Sequence, residues 1–336
     1  MKAGVALSVS GPFAAFGRQA LAAFRVWAND SDVSLVVEDD EGKPDRCRRA
    51  VERLVSEHHV DVLFGPYGSG LTLAAADVAE EHEHVLWNHG GSSSDIFERG
   101  ARWIAGIPTP ASRYFEPLLR RVPPPARVAI LAAETGFSAS VARGAVATAE
   151  SQGHRVVHRT YASGTADLRP LLEELAAEPI DLLLGAGRFE DDVRLARQLG
   201  ELAFRVPAVA VVAAGVRAFG EALGDDCEGF FGPSQWESGL RQPIDLGPTA
   251  EWFVQAYAAR TGELPDYPAA QAYAAGLLAS RCARDAGLEQ RALREAASRL
   301  RCTTLYGSFA IDRSGQQVAH EVVVVRWEHG HKRLTA

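Results

Sequence analysis

The feature that most limits what this chain can fold into is a regular alternation of short apolar runs with longer amphipathic ones. Lys2–Ser8, Ser34–Glu38, Val60–Phe64 and Val85–Trp87 read as buried strands. Between the first two, Phe16, Ala20, Phe24 and Trp27 recur at helical spacing and make one apolar stripe. Pro44-Asp45 opens a second helix in which Cys47, Val51, Leu54 and Val55 face one way, and a third spans 71–81. Strands separated by whole helices cannot pair as tight hairpins, so the pattern predicts βαβ units and a parallel sheet.

The period restarts after Pro108, Pro110 and the run Pro123-Pro124-Pro125, which bracket a helix around 111–121. Strands follow at 127–132, 154–161, 180–184 and 208–212, with helices at 137–151, 167–177 and 190–201. A Gly/Pro-rich segment from Gly232 to Pro248 then leads into helices at 248–260, 268–284 and 290–299. At the C-terminus, Phe309–Gly315 and Glu321–Trp327 predict a β-hairpin. The reading is an α/β chain of two doubly wound, Rossmann-like lobes, and 336 residues suit two domains of about 150 each.

Charge and composition exclude several classes of function. Asp and Glu number 43 against 35 Lys and Arg, a net charge of −8, with no basic tract. Phosphate neutralisation needs clustered Lys and Arg, so no nucleic-acid partner is expected. No apolar run approaches the ~18 residues of a membrane span. The four cysteines are scattered without a CxxC pair and read as small buried hydrophobes. Met1 leads directly into a strand pattern with no apolar leader or lipobox cysteine, which predicts either a cytoplasmic protein or a leader missing from this sequence.

Catalytic motifs are incomplete. There is no GxxxxGK[ST], HExxH or GxSxG. Gly185-Ala186-Gly187 follows a strand and precedes a helix, but Glu190 stands where a dinucleotide loop has its third glycine, placing a carboxylate where phosphate should bind. His58-His59 and Glu81-His82-Glu83-His84 lie at helix-to-strand junctions and read as solvated turns. The expectation is a protein that is not an enzyme, with no cofactor and no metal.

Two consecutive loops carry more information. Ligands of open α/β sheets bind beyond the carboxyl ends of the strands. There, Gly68-Ser69-Gly70 and Gly90-Gly91-Ser92-Ser93 each combine glycines with hydroxyls ahead of a helix N-terminus, a pairing suited to an anionic or amide group. Gly and Ser also serve as plain turn and cap residues. Their occurrence in adjacent loops beside Tyr67, Trp87 and His89 favours the ligand reading.

The run Ala6–Gly17, containing Ser10-Gly11-Pro12-Phe13-Ala14-Ala15-Phe16-Gly17, resembles the opening of type I periplasmic solute-binding proteins. So do Val36-Val37-Glu38-Asp39-Asp40 with Pro44, the Gly65–Thr72 loop, Phe97–Gly100, and the Tyr306–Gly315 and Val325–Trp327 segments. The similarity spans nearly the whole chain and is to the branched-chain amino acid and amide (Leu/Ile/Val-binding-like) branch serving ABC transporters. It implies two lobes joined by three hinge crossovers, residues 1–108 with 240–306 and 109–239 with 307–336, and a ligand cleft between them.

Carried over residue by residue, the resemblance gives Ser69 to a ligand carboxylate, with the backbone of Gly68 beside it. Gly90 and Ser92 serve the same group or an amine, Phe16 lines the side-chain pocket, and Tyr67 and His89 stand beside these loops. Phe137 and Phe189 fall at two further aromatic positions, and Ala214 where amino-acid binders place an acid for the ammonium. An ammonium buried without a partner is costly. The implied ligand is therefore amino-acid-like with a carboxylate or amide but no α-amine, unless Glu190 or Asp191 replaces the missing acid.

The implied function is non-enzymatic delivery of a small polar solute to an ABC permease. The protein would be periplasmic or a cell-envelope lipoprotein, meeting the membrane only through the permease or a missing lipid anchor. The alternative is a cytoplasmic ligand sensor with the same fold.

Overall fold

The computed structural model describes residues 1–202 and 204–335. They form two compact units, Met1–Pro110 with Ser238–Glu321, and Ala111–Glu237 with Val322–Ala336. Residues 307–321, expected in the second lobe, pack with the first unit, so the third passage of the chain comes after Glu321 rather than near 306–314.

Unit 1 begins β1 (Lys2–Leu7), α1 (Ala14–Asp30), β2 (Ser34–Asp39), α2 (Pro44–Ser56), β3 (Val62–Phe64), α3 (Ser69–Glu81), β4 (Leu86–Asn88), α4 (Asp95–Glu98) and β5 (Ile104–Gly106). The five strands form one parallel sheet in the order β2-β1-β3-β4-β5. Buried Ala6, Leu63 and Leu86 of the sheet pack with Cys47 and Leu54 of α2 and Leu71 of α3. Parallel strands covered on both faces read as continuous apolar runs, which is why β3 and β4 show no alternation.

Unit 2 contains α5 (Glu116–Leu119), β6 (Arg127–Ala133), α6 (Gly136–Ser151), β7 (Arg155–Tyr161), α7 (Arg169–Ala176), β8 (Leu182–Ala186), α8 (Phe189–Glu201), β9 (Ala208–Val211), α9 (Arg217–Leu223) and β10 (Phe231–Ser234). The chain then returns to unit 1 for α10 (Ala250–Thr261), α11 (Tyr267–Ala286), α12 (Gln290–Arg299) and the short antiparallel pair β11 (Cys302–Thr303) and β12 (Ser308–Phe309). It closes in unit 2 with β13 (Val323–Glu328) and β14 (His331–Leu334). The second sheet runs β14-β13-β10-β9-β8-β6-β7. Residues of β6 alternate between its two faces: Val128, Ile130 and Ala132 enter one core, Ala129, Leu131 and Ala133 the other.

α11 is the main partner of α1. Gly276 makes their approach close, since a Cβ there would lie 2.3 Å from the Trp27 indole. The same indole donates to Ser280 Oγ at 3.1 Å. Phe24 and Trp27 continue the contact onto Phe64, with ring centroids 4.7 and 5.3 Å away.

The hairpin expected from 309–315 and 321–327 does not form. Phe309 pairs with Cys302, and β13 pairs antiparallel with β10 and β14 instead. The Gly315 turn is held on unit 1, where its carbonyl accepts from Gly106 N at 2.8 Å. The real hairpin, β13–β14, turns at His329-Gly330, both at positive φ (55° and 72°), as a two-residue turn matched to strand twist requires.

Candidate functional site

The carboxyl ends of β3 and β4 carry the two loops singled out by the sequence, and the sheet continues one step past its strands to join them. Tyr67 and Gly90 form a parallel bridge, and Gly68 N donates to Gly90 O at 3.1 Å. Two glycines make this possible for different reasons. Gly68 sits at φ +107°, where L residues are strained, while a Cβ on Gly90 would lie 2.6 Å from the Tyr67 Cα.

Ser69 opens α3 immediately after Gly68, and its Oγ accepts from Ser93 N at 3.1 Å and Ser92 N at 3.3 Å. Asn88, which the sequence reading did not single out, fixes the rest of the second loop. Its Oδ1 accepts from Gly91 N (2.8 Å) and Gly90 N (3.3 Å), and its Nδ2 donates to Gly91 O (2.7 Å). The amides of Gly68 and Gly90, expected to face an anion, are thus already bonded inside the protein. Ser69 accepts in both of its loop bonds, so its own O–H is not used in either.

Half-exposed aromatic rings stand beside this anchor. Phe16, on the first turn of α1, stacks on Tyr67 at 4.7 Å and 16°. Phe13 tilts against the same ring at 6.5 Å, and the Tyr67 hydroxyl meets the Tyr267 hydroxyl at 2.7 Å. Tyr267 lies 200 residues away in sequence, at the start of α11, and no local pattern pointed to it. The loop that carries Phe13 is shaped by the acids of the β2–α2 turn: Asp39 accepts from Val9 N at 3.1 Å and from Ser10 Oγ at 2.7 Å. Asp40 accepts from Ser8 Oγ and from Gly42 N at 2.8 Å.

Phe16, Tyr67, Gly68, Ser69, Gly90 and Ser92 are therefore brought together in unit 1. His89 is not part of that surface. It is fully buried, edge-on to Phe24 at 5.1 Å, and its backbone direction in β4's continuation turns it into the core. Neither ring nitrogen has a partner of good geometry, the backbone of Gly65 being the nearby polar group, and burial pushes its pKa down to about 3. His89 is a neutral core residue.

Ala214 corrects the sequence reading in the same way. It is fully buried in the 3₁₀ turn Val212–Gly215, with its carbonyl accepting from Trp327 Nε1 at 2.9 Å, and it presents no wall to a ligand. Phe137 and Phe189 are half-buried and pack on the two cores of unit 2, Phe137 edge-on to Tyr114 at 5.9 Å.

Of the two acids that could replace the missing carboxylate, Glu190 is exposed on the first turn of α8 and Asp191 is tied into the fold. Asp191 accepts from Ser163 Oγ and Gly164 N, both at 2.9 Å, and from Arg194 at 3.0 Å. Asp192 is wholly buried, accepting from Gly187 N at 2.8 Å and Ala213 N at 2.9 Å. Burial pushes its pKa up to about 8, against those two donors. Its carboxylate holds the amide that a phosphate would need in the Gly185–Gly187 turn.

The junction histidines are likewise structural: His82 pairs with Glu52 at 2.9 Å, His58 with Glu38 at 3.2 Å, and His84 Nε2 meets Val60 O at 3.0 Å. Among the described residues no group of three His, Cys, Asp or Glu is placed to hold a metal, and no helix is long and apolar enough to cross a membrane.

Comparison with known proteins gives the family and the fold. The sequence model of the periplasmic binding protein family matches residues 1–332. The chain belongs to that family. A Leu/Ile/Val-binding protein homolog of Brucella abortus is 21% identical over 98% of this chain and 90% of its own length. The crystal structure of a leucine-binding protein from Thermotoga maritima superposes with a TM-score of 0.89 at 19% identity, covering 100% of this chain and 98% of that one. A solute-binding protein of an ABC transporter from Rhodopseudomonas palustris, in complex with 3,4-dihydroxybenzoic acid, gives 0.81 at 17% identity over 99% and 94%.

This binding protein is accordingly a type I, branched-chain-amino-acid-family member with the two-unit α/β fold. The family binds small ligands for ABC transporters and works outside the cytoplasm.

Proposed function

We propose that this binding protein captures a small solute bearing a carboxylate or amide, anchored on the Ser69–Ser92 loop pair, and hands it to an ABC permease. The observation that carries the reading is the preformed anchor: Ser69 Oγ holds the amides of Ser92 and Ser93 and keeps its own proton for an acceptor on the ligand. A preformed donor avoids the ordering cost that a mobile loop would incur on binding. A hydrogen bond to a charged acceptor contributes about 1.5–3 kcal/mol net, enough for one such group to set orientation.

The ligand's body would lie on the Phe16–Tyr67 stack, where burial of a ring face adds roughly 0.5–1.5 kcal/mol beyond area. Two observations favour a ligand without an α-ammonium. Position 214 carries an alanine closed into the core rather than an acid. Asp191 is already bonded to Ser163, Gly164 and Arg194, which leaves exposed Glu190 at the start of α8 as the acid an ammonium would have to use. Flat or apolar-bodied acids and amides suit this site better than zwitterions. The leucine-binding and dihydroxybenzoate-bound relatives mark the two ligand classes to be separated.

A thermal-shift screen tests this directly. Leucine, isoleucine and valine are compared with benzoate, hydroxybenzoates, short amides and urea, since a ligand at 100 times its Kd stabilises by about 2.7 kcal/mol. Shifts from carboxylates or amides that vanish in Ser69→Ala support the anchor. Micromolar binding of leucine or valine would overturn the exclusion of an α-ammonium, and binding unaffected by Ser69→Ala would overturn the anchor.

A further inference from the structure

Beyond the site, unit 1 contains a chain of contacts that begins at the half-exposed aromatic platform, runs into the interior and ends where the polypeptide leaves the unit. Tyr67 Oη meets Tyr267 Oη at 2.7 Å. One helical turn further along α11, on the same face, Gln271 Nε2 donates to Tyr306 Oη at 3.1 Å. The Tyr306 ring stacks on His320 with centroids 4.1 Å apart and planes within 4°. His320 Nδ1 lies 2.5 Å from Thr109 Oγ1, and its Nε2 lies 3.2 Å from Tyr306 O.

A carbonyl can only accept, so Nε2 donates to Tyr306 O, while the Thr109 hydroxyl, beside Nδ1, also donates to His320 O at 3.1 Å. Gln317 ties the same place together. Its Nε2 donates to Ile107 O at 3.3 Å, and its Oε1 accepts from Ala319 N at 2.9 Å and His320 N at 3.3 Å. Thr109, Gln271, Tyr306, Gln317 and His320 are all at most 3% exposed. Thr109 is one residue from the first passage to unit 2, after Pro110, and His320 one residue from the last, after Glu321.

We infer that this relay couples the ligand platform to the two chain crossings, with Gln271, Tyr306 and His320 acting as positioning residues. What the platform does to Tyr67 and Tyr267 is passed through α11 to the Thr109–His320 clasp, and loosening the clasp loosens the platform. The relay's meaning for ligand capture rests on the proposed site, but its existence does not. Several features favour a discrete connection over general packing: every link but one is a specific hydrogen bond or a parallel ring stack, the exception is one turn of rigid helix, and from Gln271 to Thr109 every member is closed to water. A buried bond that breaks has no solvent to replace it, so its neighbours must rearrange.

The relay is tested in the ligand-free protein by hydrogen exchange resolved to short peptides. Tyr306→Phe removes the bond to Gln271 and keeps the ring stack; Gln271→Leu removes the same bond from the other side. Each should speed exchange roughly three- to ten-fold at 106–111 and 317–322, the range expected for one neutral hydrogen bond, and leave α12 at 290–299 unchanged. In the other direction, Thr109→Val, which keeps the side-chain shape, should speed exchange at 65–70, because coupling between two sites is reciprocal.

Unchanged exchange at the crossings in both Tyr306→Phe and Gln271→Leu overturns the relay. So does a rise spread evenly over the whole chain, or a Thr109→Val effect confined to its own neighbours. Because no ligand is present, these failures are separate from failure of the ligand screen.

Discussion

Ser69→Ala separates a ligand contact from a structural one. Taken from sequence alone, Ser69 is a residue that touches solute, and its removal should leave the ligand-free protein unaffected. The structure gives the hydroxyl a second task, since it is the acceptor for two backbone amides of the neighbouring loop. A buried amide left without an acceptor costs about 1–3 kcal/mol. The two bonds share one oxygen and lie at 3.1 and 3.3 Å, the long end of the normal range, so about 1–3 kcal/mol is the figure for the pair together.

For a folding unit of 150–250 residues each kcal/mol lowers Tm by roughly 2–4 °C, so the ligand-free variant should melt roughly 2–12 °C lower. Differential scanning calorimetry of the ligand-free protein measures it. Loss of the O–H donor should in addition weaken binding of a carboxylate about ten-fold or more, read by titration calorimetry with the best acid from the screen. A Ser69→Ala protein that melts within 1 °C of the parent would refute the loop-acceptor role, whatever happens to binding.

Gly276→Ala forces a methyl to within 2.3 Å of the Trp27 indole at the α1–α11 contact and should cost about 1–3 kcal/mol, seen as a lower urea midpoint. Gly70→Ala is its counterpart: nothing lies within 4 Å of a Cβ there, and the residue sits in the first turn of α3. Its expected effect is a gain of up to about 0.5–1 kcal/mol with the fold unchanged, and a destabilised variant would contradict the open space. His89 supplies a pH dependence. Its folded pKa is about 3 against 6.5 unfolded, so the folded state refuses a proton that the unfolded chain accepts. The contribution is fully present above pH 6.5 and is lost at up to about 1.4 kcal/mol per pH unit as pH falls toward 3. His89→Phe should flatten the fall in Tm between pH 6.5 and 4, and an unchanged slope would show that other groups dominate there.

The sequence by itself determined the alternation of strands and helices and the glycine–serine loops at the ends of β3 and β4. Both are local: strand runs buried on two faces are continuously apolar, helices repeat at 3.6, and Gly68 is demanded by a φ that its own turn imposes. The same local signals misplaced the C-terminal segment. Phe309–Gly315 has a strand's composition, but composition does not say which strand pairs with which, and the Gly315 turn is held by Gly106 in unit 1.

Tertiary structure alone decided which polar and aromatic side chains share a surface. His89 and Tyr67 are 22 positions apart and both flank the anchor in sequence. One enters the core and the other stands half-exposed, because strand direction at the bridge to Gly90 sets which way each points. Asn88 and Tyr267 carried no pattern of their own. Their roles arise from bonds to Gly91 and to Tyr67, and the second of these spans 200 residues, a relation that exists only once α11 has packed on α1.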